Sequence, residues 1–170
     1  DSNGSLEDAV DHLRKAGITK AEKKGLRQTK EGVIYSYIHA GSRLGVLVEI
    51  NCETDFVAKT DGFSELAHSV AMQIAATNPL SLDISSLDES VLEREKGIFK
   101  DQAKSEGKPD HIIEKMIKGR LQKFYQESCL LEQTYIKDPD KKVKDLLTES
   151  IATLGENISI NRFTRFSIGE

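Results

Sequence analysis

The sequence predicts an α+β fold, in which helices cover one face of a small three-stranded antiparallel sheet. Two runs rich in β-branched and aromatic residues flank a short glycine-containing turn within residues 33–51. Segments with apolar residues at the helical period then follow as far as residue 154. A last strand-like run at residues 158–168 can complete the sheet. The composition, with 38% hydrophobic and 31% charged residues, is that of an ordinary globular protein.

The first predicted element is a short helix over residues 5–16, which Ser5 caps and Gly17 ends. Its apolar face consists of Leu6, Ala9, Val10 and Leu13. About three turns of helix cannot bury such a face alone, so we expect it to have a partner, either in the core or in residues that precede position 1. Residues 18–32 follow as a polar connector, and a solvated linker is the usual explanation for such a segment.

The next element is a β-hairpin. Its strands are predicted at residues 33–38 and 44–51, and the turn residues Ala40-Gly41-Ser42 lie between them. Residues 158–168 have the same strand character, with one irregularity in their register. We expect this last strand to pair with the hairpin, which gives the sheet its three strands.

Helices are predicted between the hairpin and the last strand. They span residues 55–77, 88–105, 110–128 and 143–154. Thr54 is an acceptable N-cap for the first, and Gly155 ends the last. Gly107 and Pro109 separate the middle two, which predicts an antiparallel helical hairpin. Asp138-Pro139-Asp140 predicts a turn.

The sequence contains no recognisable catalytic or metal-binding pattern. The histidines are scattered, at His12, His39, His68 and His111. Two cysteines, Cys52 and Cys129, are too few for a disulfide framework or a zinc site. There is no glycine-rich phosphate loop, and no serine lies in a nucleophile elbow. We therefore predict no catalytic residue, no metal ligand and no cofactor.

Charge and hydropathy limit the possible partners and locations. The net charge of −4 does not favour direct binding to nucleic acid. No apolar run approaches the roughly 18 residues that span a membrane. No signal peptide is visible in the polar start of the chain. These observations predict a protein of the bacterial cytoplasm or of an organelle matrix such as the chloroplast stroma, without membrane contact.

One segment is unusual for a globular core. Residues 51–59 lie where a strand changes into a helix, and Phe56 falls in the first turn of that helix beside Asp55. A lone phenylalanine at such a position most often folds back into the core. It can also project into a partner, because a junction between two regular elements is a rigid base for a functional side chain. Both alternatives remain open from the residues alone.

The segment Asn51–Lys59 closely resembles the signature of elongation factor Ts. Further motifs of that family are matched by Tyr37-Ile38-His39, Gly45–Glu49, Gly107–Pro109, Ile113–Arg120, Leu131-Glu132-Gln133, Lys137-Asp138-Pro139, Leu154–Ile158 and Arg162-Phe163. The family binds the GTPase elongation factor Tu and accelerates release of its GDP. The resemblance therefore implies a non-enzymatic guanine-nucleotide exchange factor.

The resemblance also implies a set of contact residues. In the family, the aspartate and phenylalanine of the signature enter the nucleotide-binding domain of elongation factor Tu. By match, the expected contacts with elongation factor Tu are Thr54, Asp55, Phe56, Val57, Leu154, Gly155 and His39. Leu154 and Gly155 correspond to a pair at the end of the last helix, and His39 lies near the hairpin turn.

Family members normally begin with a three-helix module that resembles a ubiquitin-associated domain. The resemblance implies that residues 1–17 are the remnant of that module, 18–32 a linker and 33–170 the core, or dimerisation, domain. Forms with a single core tend to pair, so a homodimer is expected. An alternative is a ribosome- or RNA-associated module of an organellar translation polyprotein. It is motivated by a basic cluster of Lys15, Lys20, Lys23, Lys24 and Arg27.

Overall fold

A computed structural model describes residues 5–107 and 109–169, with the backbone alone at positions 6, 7, 9 and 14. The elements in order are α1 Leu6–Lys24, β1 Glu31–Ile38, β2 Leu44–Cys52, α2 Asp55–Ala58, α3 Asp61–Thr77, α4 Glu89–Ser105, α5 Asp110–Ser128, a 3-10 turn Leu130–Glu132, β3 Thr134–Tyr135, β4 Asp138–Lys142, α6 Val143–Leu154 and β5 Ile158–Ser167. The chain divides into two compact units, one with the residues up to Ala76 and from Val143 onwards, the other with Thr77–Lys142.

The first unit contains the predicted sheet, with strand order β1-β2-β5 and antiparallel pairing throughout. Alternate residues of β2, Val46, Val48, Ile50 and Cys52, are buried on one face. On that face His68 of α3 contacts Tyr35, and Arg165 of β5 donates to the carbonyl oxygen of Ala75 at 3.3 Å. The α+β architecture and the three-stranded antiparallel sheet are confirmed.

The other face of the sheet is open. Ile34, Ile38, Leu47 and Phe166 are exposed there. The predicted irregularity in the last strand is also confirmed. Glu49 pairs with Arg162, whereas the next residue, Ile50, pairs with Ile160, so Asn161 is an extra residue in β5.

The prediction that the first helix ends at Gly17 is wrong. Ser5 does cap α1, since its side chain accepts from the Asp8 N–H at 3.2 Å, but the helix continues to Lys24. A Cβ at Gly17 would lie 3.5 Å from the Cβ of Ala152, so this glycine packs against α6. The alanine and lysine residues that follow are good helix formers, which explains the continuation. The non-helical part of the connector is therefore short.

The single helix predicted over residues 55–77 is two helices. The four-residue α2 ends at Ala58, and α3 begins at Asp61. Thr60 explains the break, because its Oγ1 accepts from the Phe63 N–H at 3.3 Å and also donates to the Val57 carbonyl oxygen at 2.7 Å. A hydroxyl that bonds to the backbone in this way starts a new helix in place of continuing the old one.

The second unit contains the predicted helical hairpin of α4 and α5, which pack on each other. The guanidinium of Arg120 lies 5.9 Å from the centre of the Phe99 ring and also bonds to Glu106 at 3.3 Å. The turn predicted at Asp138-Pro139-Asp140 is wrong, because these residues belong to β4, which pairs with β3. In a two-stranded sheet each strand is an edge, where proline is tolerated.

Candidate partner-binding site

The segment Thr54–Val57, here called the tip, consists of the N-cap residue and the first three residues of the four-residue helix α2. Thr54 has extended backbone angles, and its hydroxyl accepts from the Val57 N–H at 3.4 Å, as predicted for an N-cap. None of the residues of α2 is buried, and Phe56 is 79% exposed. Of the two alternatives for Phe56, packing into the core is therefore excluded, and the ring projects from the junction of β2 and α2.

Asp55, the first residue of α2, forms an ion pair with the C-cap residue of the same helix. Its carboxylate accepts from the Lys59 ammonium at 2.7 Å, one helical turn away. This hydrogen bond and the charge of Lys59 lower the pKa of Asp55, and the same contact raises the pKa of Lys59. Both groups are exposed, so the pair orients the carboxylate beside Phe56 and adds little stability.

A carboxylate more than 100 residues away holds the start of the tip. Glu156 accepts from the N–H groups of Glu53 and Thr54, at 3.1 and 2.9 Å, with one oxygen. Its other oxygen accepts from the Thr54 hydroxyl at 2.6 Å. These are charge-assisted hydrogen bonds, which are stronger than neutral ones.

Glu53, next to Thr54, in turn accepts a backbone N–H from the segment that contains Glu156. Its carboxylate accepts from the Asn157 N–H at 2.6 Å and from the Arg27 guanidinium at 3.5 Å. The Asn157 side chain donates to the Arg27 carbonyl oxygen at 2.7 Å. Each of the two glutamates thus accepts backbone N–H groups of the other's segment. We call Glu53 and Glu156 the reciprocal glutamate pair.

Leu154 and Gly155 lie in the segment that the reciprocal glutamate pair joins to the tip. Gly155 has a φ of +82° and its N–H donates to the Ile151 carbonyl oxygen, which ends α6 as predicted. The Gly155 carbonyl oxygen accepts from the Lys24 ammonium. A Cβ on Gly62 would lie 3.2 Å from Leu154 Cδ2, so this side chain rests against the first turn of α3. The structure thus brings Leu154 and Gly155 to the same end of the sheet as the tip.

His39 is placed elsewhere. His39 directly follows Ile38, which pairs with Gly45, whereas Thr54 lies two residues after Cys52, which pairs with Glu31, so His39 and Thr54 lie at opposite ends of the hairpin. At about 3.3 Å per residue the separation along β2 is roughly 25 Å. The exposed His39 Nδ1 lies 2.8 Å from the Tyr37 hydroxyl. A partner that contacts both His39 and the tip must therefore extend along the sheet.

Sequence reasoning missed the residues that hold the tip in place. Glu53, Glu156, Lys24 and Arg27 were not expected to have such a role. Charged residues of this kind are common on solvated surfaces, and no local spacing relates residues that are 102 positions apart. Burial, with a contribution from the Glu156 charge, raises the pKa of the neighbouring Cys52 thiol.

The described residues show no cluster of three or more His, Cys, Asp or Glu side chains that could hold a metal ion. Within the same residues, no helix is both long and apolar enough to cross a membrane. The features of the described chain define a small α+β protein with an exposed phenylalanine on a tip that hydrogen bonds join to residues 156–157.

Comparison with known proteins identifies the family. The protein-family model described as "Elongation factor TS" matches residues 11–170 of this chain. The chain is 56% identical to elongation factor Ts of Syntrophomonas wolfei over 170 residues, which cover all of this chain and 79% of that protein. The same figures apply to elongation factor Ts of Geotalea daltonii, and the protein of Thermoanaerobacter sp. strain X514 is 53% identical with 83% of its length covered. The chain belongs to the elongation factor Ts family and is thus a translation elongation factor of protein biosynthesis.

Proposed function

We propose that this chain binds elongation factor Tu and promotes the release of GDP from it. The observation that carries the proposal is the exposed ring of Phe56, which projects from a tip held by the reciprocal glutamate pair. A large apolar side chain kept in solvent by a rigid base is suited to bury itself in another protein. The tip lies within the segment that resembles the family signature. In the family, the aspartate and phenylalanine of that signature, here Asp55 and Phe56, enter the GTPase.

The mechanism follows from thermodynamic linkage. If factor and nucleotide each weaken the other's binding to the GTPase, the coupling is reciprocal, so binding of the factor lowers the affinity of the GTPase for GDP. The Phe56 ring would displace side chains that order the Mg²⁺ and phosphate groups, and Asp55, Val57, Leu154 and Gly155 would fix its direction of approach. No covalent bond is made or broken in this process, so it requires no catalytic acid, base or nucleophile in this chain.

The test measures release of a fluorescent GDP analogue from the chain's own elongation factor Tu. Burial of a phenylalanine side chain contributes about 2–3 kcal/mol, and most of that ring is still exposed in the free factor. We therefore expect Phe56→Ala to lower the efficiency of exchange about 30-fold, with little change in melting temperature. Phe166→Ala is the matched control, since that ring is 68% exposed on the open face of the sheet. Equal rates for wild type and Phe56→Ala would refute the assigned mechanism.

The basic cluster gives weak support to the alternative RNA-associated function. Lys24 donates to the Gly155 carbonyl oxygen and Arg27 bonds to Glu53, so two of its five cations have partners within the chain. Lys15, Lys20 and Lys23 remain exposed. A salt-dependent gel shift of RNA at micromolar protein would favour this alternative, and the absence of a shift at low salt would remove it.

The expected homodimer, the role of His39, the location in the cell and the division into domains stay predictions. A homodimer is expected from the resemblance and is checked by sedimentation. His39 as a further contact with elongation factor Tu is checked by its effect on exchange when replaced. The proposed location is the bacterial cytoplasm or an organelle matrix such as the chloroplast stroma, and the proposed division into residues 1–17, 18–32 and 33–170 is checked by truncation.

A further inference from the structure

We propose that the reciprocal glutamate pair consists of positioning residues for nucleotide exchange, which hold the tip and residues 154–157 as a single binding surface. This inference rests on the proposed function. The two segments carry different contact residues, Asp55 and Phe56 in one and Leu154 and Gly155 in the other. They are far apart in sequence, and the hydrogen bonds of the reciprocal glutamate pair join them directly, over separations of 102 and 104 residues.

Hydrogen bonds set the start of the helix that carries the Phe56 ring. No residue of α2 is fully buried; Val57 and Ala58 are half-buried, and the helix lies against β1 and β2. The ring itself is 79% exposed, so the backbone of α2 determines its direction. Its first turn is set by the Thr54 hydroxyl, which accepts from the Val57 N–H. The same hydroxyl donates to Glu156, which also accepts the Thr54 N–H. Glu156 therefore fixes both the backbone and the side chain of the residue that starts the helix.

Glu53 fixes the other segment in the same way. It accepts from the Asn157 N–H at 2.6 Å, and the Asn157 side chain, which is buried, donates to the Arg27 carbonyl oxygen. Loss of either glutamate leaves backbone N–H groups without acceptors in a part-buried position, which favours rearrangement of the local backbone. A surface that must be ordered when the partner arrives binds more weakly than one that is already ordered.

The test uses Glu156→Gln, which preserves the shape of the side chain. A carboxamide has one acceptor oxygen. If that oxygen faces the N–H groups, the NH₂ group can only donate to the Thr54 hydroxyl, which loses the charged acceptor of its own proton; in the other orientation the NH₂ group faces the two N–H donors. The matched control is Glu65→Gln on α3, an exposed glutamate outside the site. Release of the GDP analogue is measured over a series of factor concentrations, so that the half-saturating concentration and the maximal rate are obtained separately. We expect Glu156→Gln to raise the half-saturating concentration about tenfold, and Glu65→Gln to match wild type.

A double-mutant cycle separates positioning from an independent contact. Phe56→Leu keeps an apolar side chain and a measurable rate. If Glu156 acts by directing residue 56, the tenfold effect of Glu156→Gln shrinks below about twofold in the Phe56→Leu background, since coupled residues are not additive. If Glu156→Gln has the same tenfold effect in the wild-type and Phe56→Leu backgrounds, Glu156 does not act by directing residue 56, and the inference is overturned. Glu53→Ala provides a second test of the pair if Glu156→Gln does not fold, with the same coupling expected.

The outcomes distinguish the two proposals. If wild type does not accelerate GDP release, the proposed function fails, and this inference fails with it. If wild type is active and Phe56→Ala is not, but Glu156→Gln and Glu53→Ala behave as wild type, the inference alone is overturned. A raised half-saturating concentration that is coupled to residue 56 supports both.

Discussion

Gly32 in β1 is a position where a single methyl group should have a large effect. Its φ is +147°, a conformation available almost only to glycine. A Cβ there would lie 2.2 Å from the Ile50 carbonyl oxygen and 2.7 Å from the Asn51 Cα. Both are backbone atoms of the neighbouring strand, so the contact cannot be relieved by rotation of a side chain.

The cost of Gly32→Ala can be worked out from this geometry. The backbone strain contributes about 1–3 kcal/mol. Relief of the overlap requires separation of the strands at Glu31↔Cys52, Gly32↔Asn51 and Val33↔Ile50, which loses two or three hydrogen bonds of about 1 kcal/mol each. We expect a total loss of about 3–6 kcal/mol, against a typical stability of about 5–15 kcal/mol.

Urea unfolding followed by circular dichroism tests this value. With a slope of about 2 kcal/mol per molar, the midpoint should fall by about 2 M. Gly41→Ala is the control, since Gly41 also has a positive φ, of +87°, but nothing lies within 4 Å of its Cβ position. It should lose only about 1–2 kcal/mol, the cost of the left-handed conformation alone. A loss below about 1 kcal/mol for Gly32→Ala, or equal losses for the two variants, would refute the assignment of the cost to contact with the backbone of β2.

Two further predictions concern the titratable groups near the tip. The pKa of Asp55 is lowered, so its pairing with Lys59 is present above the ordinary pKa of 3.8 and is lost as the pH falls through the pKa of Asp55 in the folded protein. The pKa of Lys59 is raised, so the pair stays intact until the pH rises through the pKa of Lys59 in the folded protein. Lys59→Met should therefore shift the Asp55 carboxyl titration, followed by ¹³C NMR, upwards towards 3.8, and an unchanged titration would contradict the pairing. Burial raises the pKa of both the Cys52 and Cys129 thiols, so neither should react with a thiol reagent at pH 7 until the protein is unfolded, and rapid labelling of the native protein would show that one of them is accessible.

The elements that the sequence predicted correctly are those with a local period. The hairpin of β1 and β2, the final strand and the helical hairpin each carry their own pattern of apolar residues, so neighbouring positions are enough to identify them. The extra residue in β5 was also expected, because the alternation of side chains is broken once within that strand.

The errors have a different origin, since each depends on contacts that local patterns do not contain. Gly17 resembles a helix end but packs against α6, and the sequence beside it cannot show that partner. Asp138-Pro139-Asp140 has turn composition, yet it pairs with β3 around a turn at residues 136–137. The reciprocal glutamate pair likewise depends on the meeting of residues that are 102 and 104 positions apart.

The long sequence separation within the reciprocal glutamate pair also has a consequence for synthesis. Thr54 leaves the ribosome 102 residues before Glu156, the acceptor of its N–H. At about 5–20 residues per second, the interval is roughly 5–20 s. During this time the segment around Phe56 exists without the carboxylate that fixes it, and β2 exists without β5. A nascent chain therefore acquires its finished tip only after residue 156 has been synthesised and has left the ribosome.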